Sequence, residues 1–149
     1  MGSLRAGWIV VLCAAVLLVS TWLPWLTTTA DGGGRATAIG GQVGSIGVPP
    51  AGFGVGQLIV LLSATLVVAA AMAARGLSAR LASTAALAIS VCIAVLVLWY
   101  YRLYASPPVA PGYGLYVGAA VTALAVALSV LTMVAAWSRA ARGLSARRA

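Results

Sequence analysis

Few side chains in this sequence are able to do chemistry. One carboxylate, Asp31, two cysteines, Cys13 and Cys92, and nine arginines stand among 149 residues, with no His, Lys or Glu. Without imidazole the usual ligand for haem, zinc or copper is missing, and so is the side chain that titrates near neutral pH. Without a second acid there is no paired-carboxylate site of the glycosidase or aspartic-protease kind. The cysteines lack CxxC spacing, sit among Val, Leu, Ile and Ala, and have no His or Lys to activate them. They read as packing residues. The expectation is a protein that is not an enzyme and that uses no cofactor and no metal.

Hydrophobic residues make up 63% of the chain and charged ones 7%, against about a quarter charged in soluble domains. The charges leave uncharged intervals at 6–30, 36–74, 81–101 and 103–138. Each holds one helix of about 20 residues, enough to cross a hydrocarbon core of about 30 Å. The predicted fold is all-α: a four-span transmembrane bundle forming a single integral membrane domain. Spans are expected at about 8–26, 55–74, 81–101 and 115–137, with an outer loop at 27–54 and a basic tail at 139–149.

Pro24 would close span one, since it cannot donate to the carbonyl one turn back. A cleaved signal peptide is the rival reading of that segment, but Trp22, Pro24 and Trp25 crowd the place where small residues are wanted. The Gly-rich stretch 27–54 reads as a flexible loop or, over 38–48, as a weak surface hairpin. The octapeptide AARGLSAR occurs at 73–80 and again at 140–147. Each copy follows an apolar span, which predicts two helical hairpins related by duplication.

Orientation follows from the arginines. With both termini cytoplasmic, Arg5, Arg75, Arg80, Arg139, Arg142, Arg147 and Arg148 lie inside and only Arg35 and Arg102 outside, a positive-inside arrangement. Topology therefore accounts for the net charge of +8, and no nucleic-acid partner is expected. Localisation to the cell membrane follows.

Aromatic residues crowd the outer span ends. Trp22, Trp25, Trp99, Tyr100, Tyr101, Tyr104, Tyr113 and Tyr116, with Phe53, fall there, and Trp8 and Trp137 at the inner ends. An interfacial belt accounts for their depth. Their asymmetry suggests an outward rim that contacts lipid or a partner helix. Arg102, set among these rings, either snorkels to water or holds a phosphate. Ala82, Ala86, Ser90 and Ala94, and then Ala119, Ala123 and Ala127, form fourfold stripes that would let the third and fourth spans approach closely, or receive a partner protein.

The Leu23-Pro24-Trp25 motif, the Gly-rich outer loop and the Pro-Gly-Tyr113-Gly-Leu-Tyr116 opening of the last span resemble those of small, uncharacterised four-helix membrane proteins common in actinobacteria. The resemblance implies the fold and the membrane, and supplies no activity. The expected function is that of a non-enzymatic accessory, scaffold or stabilising subunit. Its partners would be the lipid bilayer and another membrane protein or a second copy of itself. The alternative is a small oligomeric carrier or channel for an apolar or lipid-like substrate.

Overall fold

A computed structural model describes residues 2–50 and 52–146, without the side chains of 2–5 and 144–146. The elements in chain order are α1 (Gly2–Ser20), β1 (Pro24–Thr28), a 3-10 turn (Ala30–Gly32), β2 (Gly34–Thr37), β3 (Gln42–Gly44), α2 (Val55–Ala74), α3 (Ala79–Tyr104), β4 (Val109–Pro111) and α4 (Tyr113–Ala146). Helix α1 packs on α2 and α4, and α3 packs on the same two, closing a four-helix bundle.

Burial along the helices alternates in steps of three and four. The inward residues are Gly7, Val10, Ala14 and Leu17 in α1 and Gly56, Ile59, Ser63, Leu66 and Ala70 in α2. In α3 they are Ser83, Ala86, Ser90, Ile93, Val97 and Tyr100, and in α4 Leu115, Gly118, Thr122, Ala125, Ser129, Thr132 and Ala136. A 3.5-residue repeat keeps one seam facing the neighbouring helices, as in coiled coils. The seam is rich in small and hydroxyl residues, whereas Leu12, Leu61, Val68, Val95, Leu98, Leu124 and Leu131 point outward. This inverts the pattern of a water-soluble bundle. Val55–Ala74, Ala79–Tyr104 and Tyr113–Gly143 are long and apolar enough to cross a membrane, and α1 adds a shorter apolar stretch, Ala6–Ser20.

The fold is not purely helical. Residues 24–44 and 109–111 form a four-stranded antiparallel sheet in the order β3-β2-β1-β4, where a flexible loop or a lone hairpin over 38–48 was expected. The hydrogen bonds of Gln57 tie this layer to the start of α2: its Nε2 donates to Ile39 O at 2.9 Å and Gly52 O at 3.1 Å, and its Oε1 accepts from Gly54 N at 2.9 Å. A further bond, from Gln42 Nε2 to Pro49 O, closes the loop between β3 and α2.

Span one also ends earlier than its apolar run, at Ser20 rather than near 26. Side chains share the carbonyls of its last turn with the backbone N–H groups of Thr21, Trp22 and Leu23. Ser20 Oγ donates to Leu17 O and Thr21 Oγ1 to Leu18 O, both at 2.6 Å, and Trp25 Nε1 donates to Ser20 O at 2.7 Å. These bonds satisfy acceptors that a continuing helix would otherwise use. In α4 the departure is the opposite one, because the helix runs on through the expected tail to Ala146.

The two copies of AARGLSAR consequently differ. The first spans the end of α2, a turn with Gly76 at φ 75 and Ser78 at φ 46, and the start of α3. The second is helical as far as Ala146, and Arg147 lies outside the described residues. Where α3 must return along α2 the octapeptide turns, using the left-handed freedom of Gly76. Where no such reversal is imposed it stays helical.

Candidate functional site: the sheet-capped end of the bundle

The sheet covers the end of the bundle where α1 and α3 finish and α2 and α4 begin. Its register separates two faces. Val43 pairs with Arg35, Arg35 with Thr27 and Thr27 with Ala110, giving one outward row. Ala36 pairs with Leu26, and both are buried on the helix side. The alternation of β1 breaks at its start, where the register shifts between Pro24 and Leu26. A bulge of this kind re-aims the extra residue, and here Trp25 and Leu26, although adjacent, both turn into the core.

Trp25 is 0% exposed and joins the sheet to three helices. Its indole caps α1 through Ser20 and meets Tyr100 of α3 edge-on, with ring centroids 5.2 Å apart at 87°. It also lies over α4 so closely that a Cβ on Gly114 or Gly118 would come within 2.8–2.9 Å of the ring. Tyr100, also 0% exposed, meets Tyr104 at 4.9 Å, and its buried hydroxyl has no hydrogen-bond partner. The expected outer rim therefore loses Trp25 and Tyr100 to the core, with Tyr104 half-buried behind them. Neither Trp25 nor Tyr100 is exposed on the surface of the folded chain, where a lipid or partner contact was expected of both.

The remaining outer aromatics divide into two surfaces. Trp22 and Tyr113, 67% and 60% exposed, flank Arg35 over two adjoining hollows of about 370 and 500 Å³ that share Pro24, Arg35, Val43 and Tyr113. Trp99, Tyr101, Arg102 and Tyr116 lie on the outer flanks of α3 and α4. Two further hollows occur there, of about 250 Å³ beside Tyr101 and Tyr116 and about 480 Å³ beside Trp99 and Arg102. Among the described residues neither Arg35 nor Arg102 makes an ion pair or hydrogen bond. At the opposite end Arg80 stands 5.5 Å from the Trp137 ring, and Arg139 Nε donates to Ala135 O at 3.1 Å. Of the arginines assigned to that end, Arg147 and Arg148 and the side chain of Arg5 are outside the described structure.

Half of the expected small-residue seam is found. Ala82, Ala86 and Ser90 are buried, and Ser90 Oγ lies 3.3 Å from Ser129 Oγ across α3 and α4. Ala94 is half-buried and Ala119, Ala123 and Ala127 are exposed; Ala119 and Ala123 border the seam, where with Ala94 they line a hollow between α3 and α4, and are not packed inside it. A step of four residues turns about 40° past a full helical revolution, and a strict fourfold series soon leaves the contact face. Gly118, Thr122, Ala125 and Ser129 occupy the position assigned to those alanines. The sequence signal was their three–four alternation of small and hydroxyl residues. The buried hydroxyls mostly bond within their own helices: Ser63 to Ile59 O, Ser90 to Ala86 O, Thr122 to Gly118 O and Thr132 to Ser129 O, at 2.6–2.9 Å.

The fold and its end thus define a helical bundle of membrane-protein build, capped by a small sheet and presenting aromatic and arginine side chains around that cap. No protein family, curated protein or solved structure matches the chain.

Proposed function

We propose that the chain is a non-enzymatic, multi-pass protein of the cell membrane that acts by contact, as an accessory, scaffold or stabilising subunit of a membrane assembly. All four helices would cross the bilayer, with both termini cytoplasmic and the sheet outside. Kinship with small actinobacterial four-helix membrane proteins belongs to the same reading. The observation that carries it is the inverted burial pattern. Many large apolar side chains face outward, where only lipid or another apolar surface would accept them, and small and hydroxyl residues make up much of the seam beside Leu17, Ile59, Leu66 and Ile93.

The inward hydroxyls are largely committed to their own helices, so little polarity remains to line an interior path, which weighs against a channel. Partner contact falls to the exposed faces, with Ala127 of α4 open to a neighbouring helix and Trp22 and Tyr113 open on the sheet. Copurification of a tagged copy from native membranes in mild detergent tests this. One stoichiometric protein partner is the expected result, and its loss is expected when Ala127 becomes Leu or when Trp22 and Tyr113 become Ala. Recovery of the chain alone would refute the accessory role.

A second reading, a carrier for a lipid-like substrate, is favoured by the apolar hollows beside Arg102. Lipid movement in liposomes containing the purified protein would establish it, and its absence would remove it.

A further inference from the structure

Leu98 stands as a ridge between two apolar hollows. On one side Ala94 and Tyr101 of α3 face Tyr116, Ala119 and Ala123 of α4 across about 250 Å³. On the other, Val95, Trp99, Arg102 and Leu103, all on α3, border a shallow open hollow of about 480 Å³. Leu98 lines both. The helical period explains the arrangement: positions three and four residues from Leu98 fall on its two flanks, about 40–60° away. Arg102, one turn beyond Leu98, lies in the last turn of α3, next to the sheet-capped end.

We propose that this surface holds one anionic two-chain phospholipid of the adjoining leaflet, with an acyl chain in each hollow astride Leu98 and the phosphate on Arg102. The inference rests on the membrane reading above, which puts both hollows against hydrocarbon and Arg102 near headgroup depth.

Charge selects the occupant. Arg102 is exposed and has no ion pair or hydrogen bond among the described residues. The single carboxylate of the chain, Asp31, sits in the 3-10 turn between β1 and β2. A guanidinium presents a planar fork that pairs with two phosphate oxygens. No acidic side chain lines either hollow to receive the ammonium of a zwitterionic headgroup, so a headgroup with net negative charge is preferred. Tyr101 and Tyr116, which line the smaller hollow, bring hydroxyl donors to the same surface.

Native mass spectrometry of the intact chain released from lipid nanodiscs tests the proposal, using phosphatidylglycerol and phosphatidylcholine with identical acyl chains. One retained phosphatidylglycerol is expected, bound about tenfold more tightly than phosphatidylcholine. R102Q is expected to abolish that preference, and A123L, which narrows the smaller hollow, to weaken both lipids. R139Q, at the opposite end, should change neither. Equal retention of the two lipids by the wild type would overturn the proposal, as would a preference that survives R102Q in a variant whose thermal unfolding matches wild type. Insertion into nanodiscs without a lipid preference sinks this inference alone. Failure to insert sinks the membrane reading beneath it.

Discussion

Replacing Trp25 with alanine is expected to lower the stability of the folded chain by about 3–5 kcal/mol, the range for removing a buried large aromatic side chain. The indole is fully enclosed and packs between Tyr100 and the glycines of α4, so truncation opens a cavity. It also removes one of the two hydrogen bonds on the Ser20 carbonyl, that from the ring nitrogen at 2.7 Å, leaving only that from Leu23 N at 3.0 Å, at the point where α1 gives way to β1. Reversible unfolding in detergent measures the change. W22A is the control, because that ring is largely exposed. In the same assay Y100F is expected to match or exceed wild type, because an unpaired buried hydroxyl costs about 1–3 kcal/mol and the ring is retained. A W25A protein within about 1 kcal/mol of wild type would show that the sheet is not anchored through this residue.

The second large effect is expected at Gly56, in the first turn of α2, where a Cβ would overlap the carbonyl of Ala38. Backbone meets backbone there, so no side-chain rotation relieves the clash. The insertion of a single methyl group should cost at or above the upper end of the usual 1–3 kcal/mol for overpacking. It should also separate the loop after β2 from the helix, loosening the bonds that Gln57 makes to Ile39 and Gly52. Gly143 gives the opposite sign. It is helical, and among the described residues no neighbouring side chain or other element stands within 4 Å of its hypothetical Cβ. G143A is therefore expected to stabilise by about 0.5–1 kcal/mol through helix propensity. Unfolding midpoints of the two variants against wild type check both, and equal shifts in one direction would refute the distinction.

The contrast between these glycines shows which features the sequence carried. Uncharged intervals of helical length announced the bundle. Neither the seam nor the cap could be read the same way. In a soluble helix the buried face is the apolar one, but here apolar residues surround every helix, and hydrophobicity does not mark a face. What marks it is the alternation Gly118, Thr122, Ala125, Ser129, read as small and hydroxyl residues at a 3.5 period. Fourfold alanine spacing is common in so alanine-rich a chain, and it pointed to Ala119, Ala123 and Ala127 instead.

The sheet escaped notice for a different reason. Its strands span three to five residues and include Gly34, Gly44, Pro24 and Pro111, which weaken any local strand signal. Two of them, β1 and β4, are separated in the chain by β2, β3, α2 and α3. Trp25 illustrates both losses. Placed after an apolar span and beside a proline it looks like an interfacial ring, and only the bulge, a feature of pairing with β2, turns it inward. Trp22, Trp99, Tyr113 and Tyr116, by contrast, are exposed, as ring type and depth suggested.

The account depends most on the sheet-capped end and the arginine-rich end lying on opposite sides of a membrane. Single cysteines at Val43 in β3 and Leu77 in the α2–α3 turn, both exposed, probe the two ends once Cys13 and Cys92 are replaced by Ala. A membrane-impermeant maleimide applied to intact cells should label V43C and leave L77C unlabelled until the cells are permeabilised. Labelling of both from the same side would contradict the account, and labelling of L77C alone in intact cells would invert its topology.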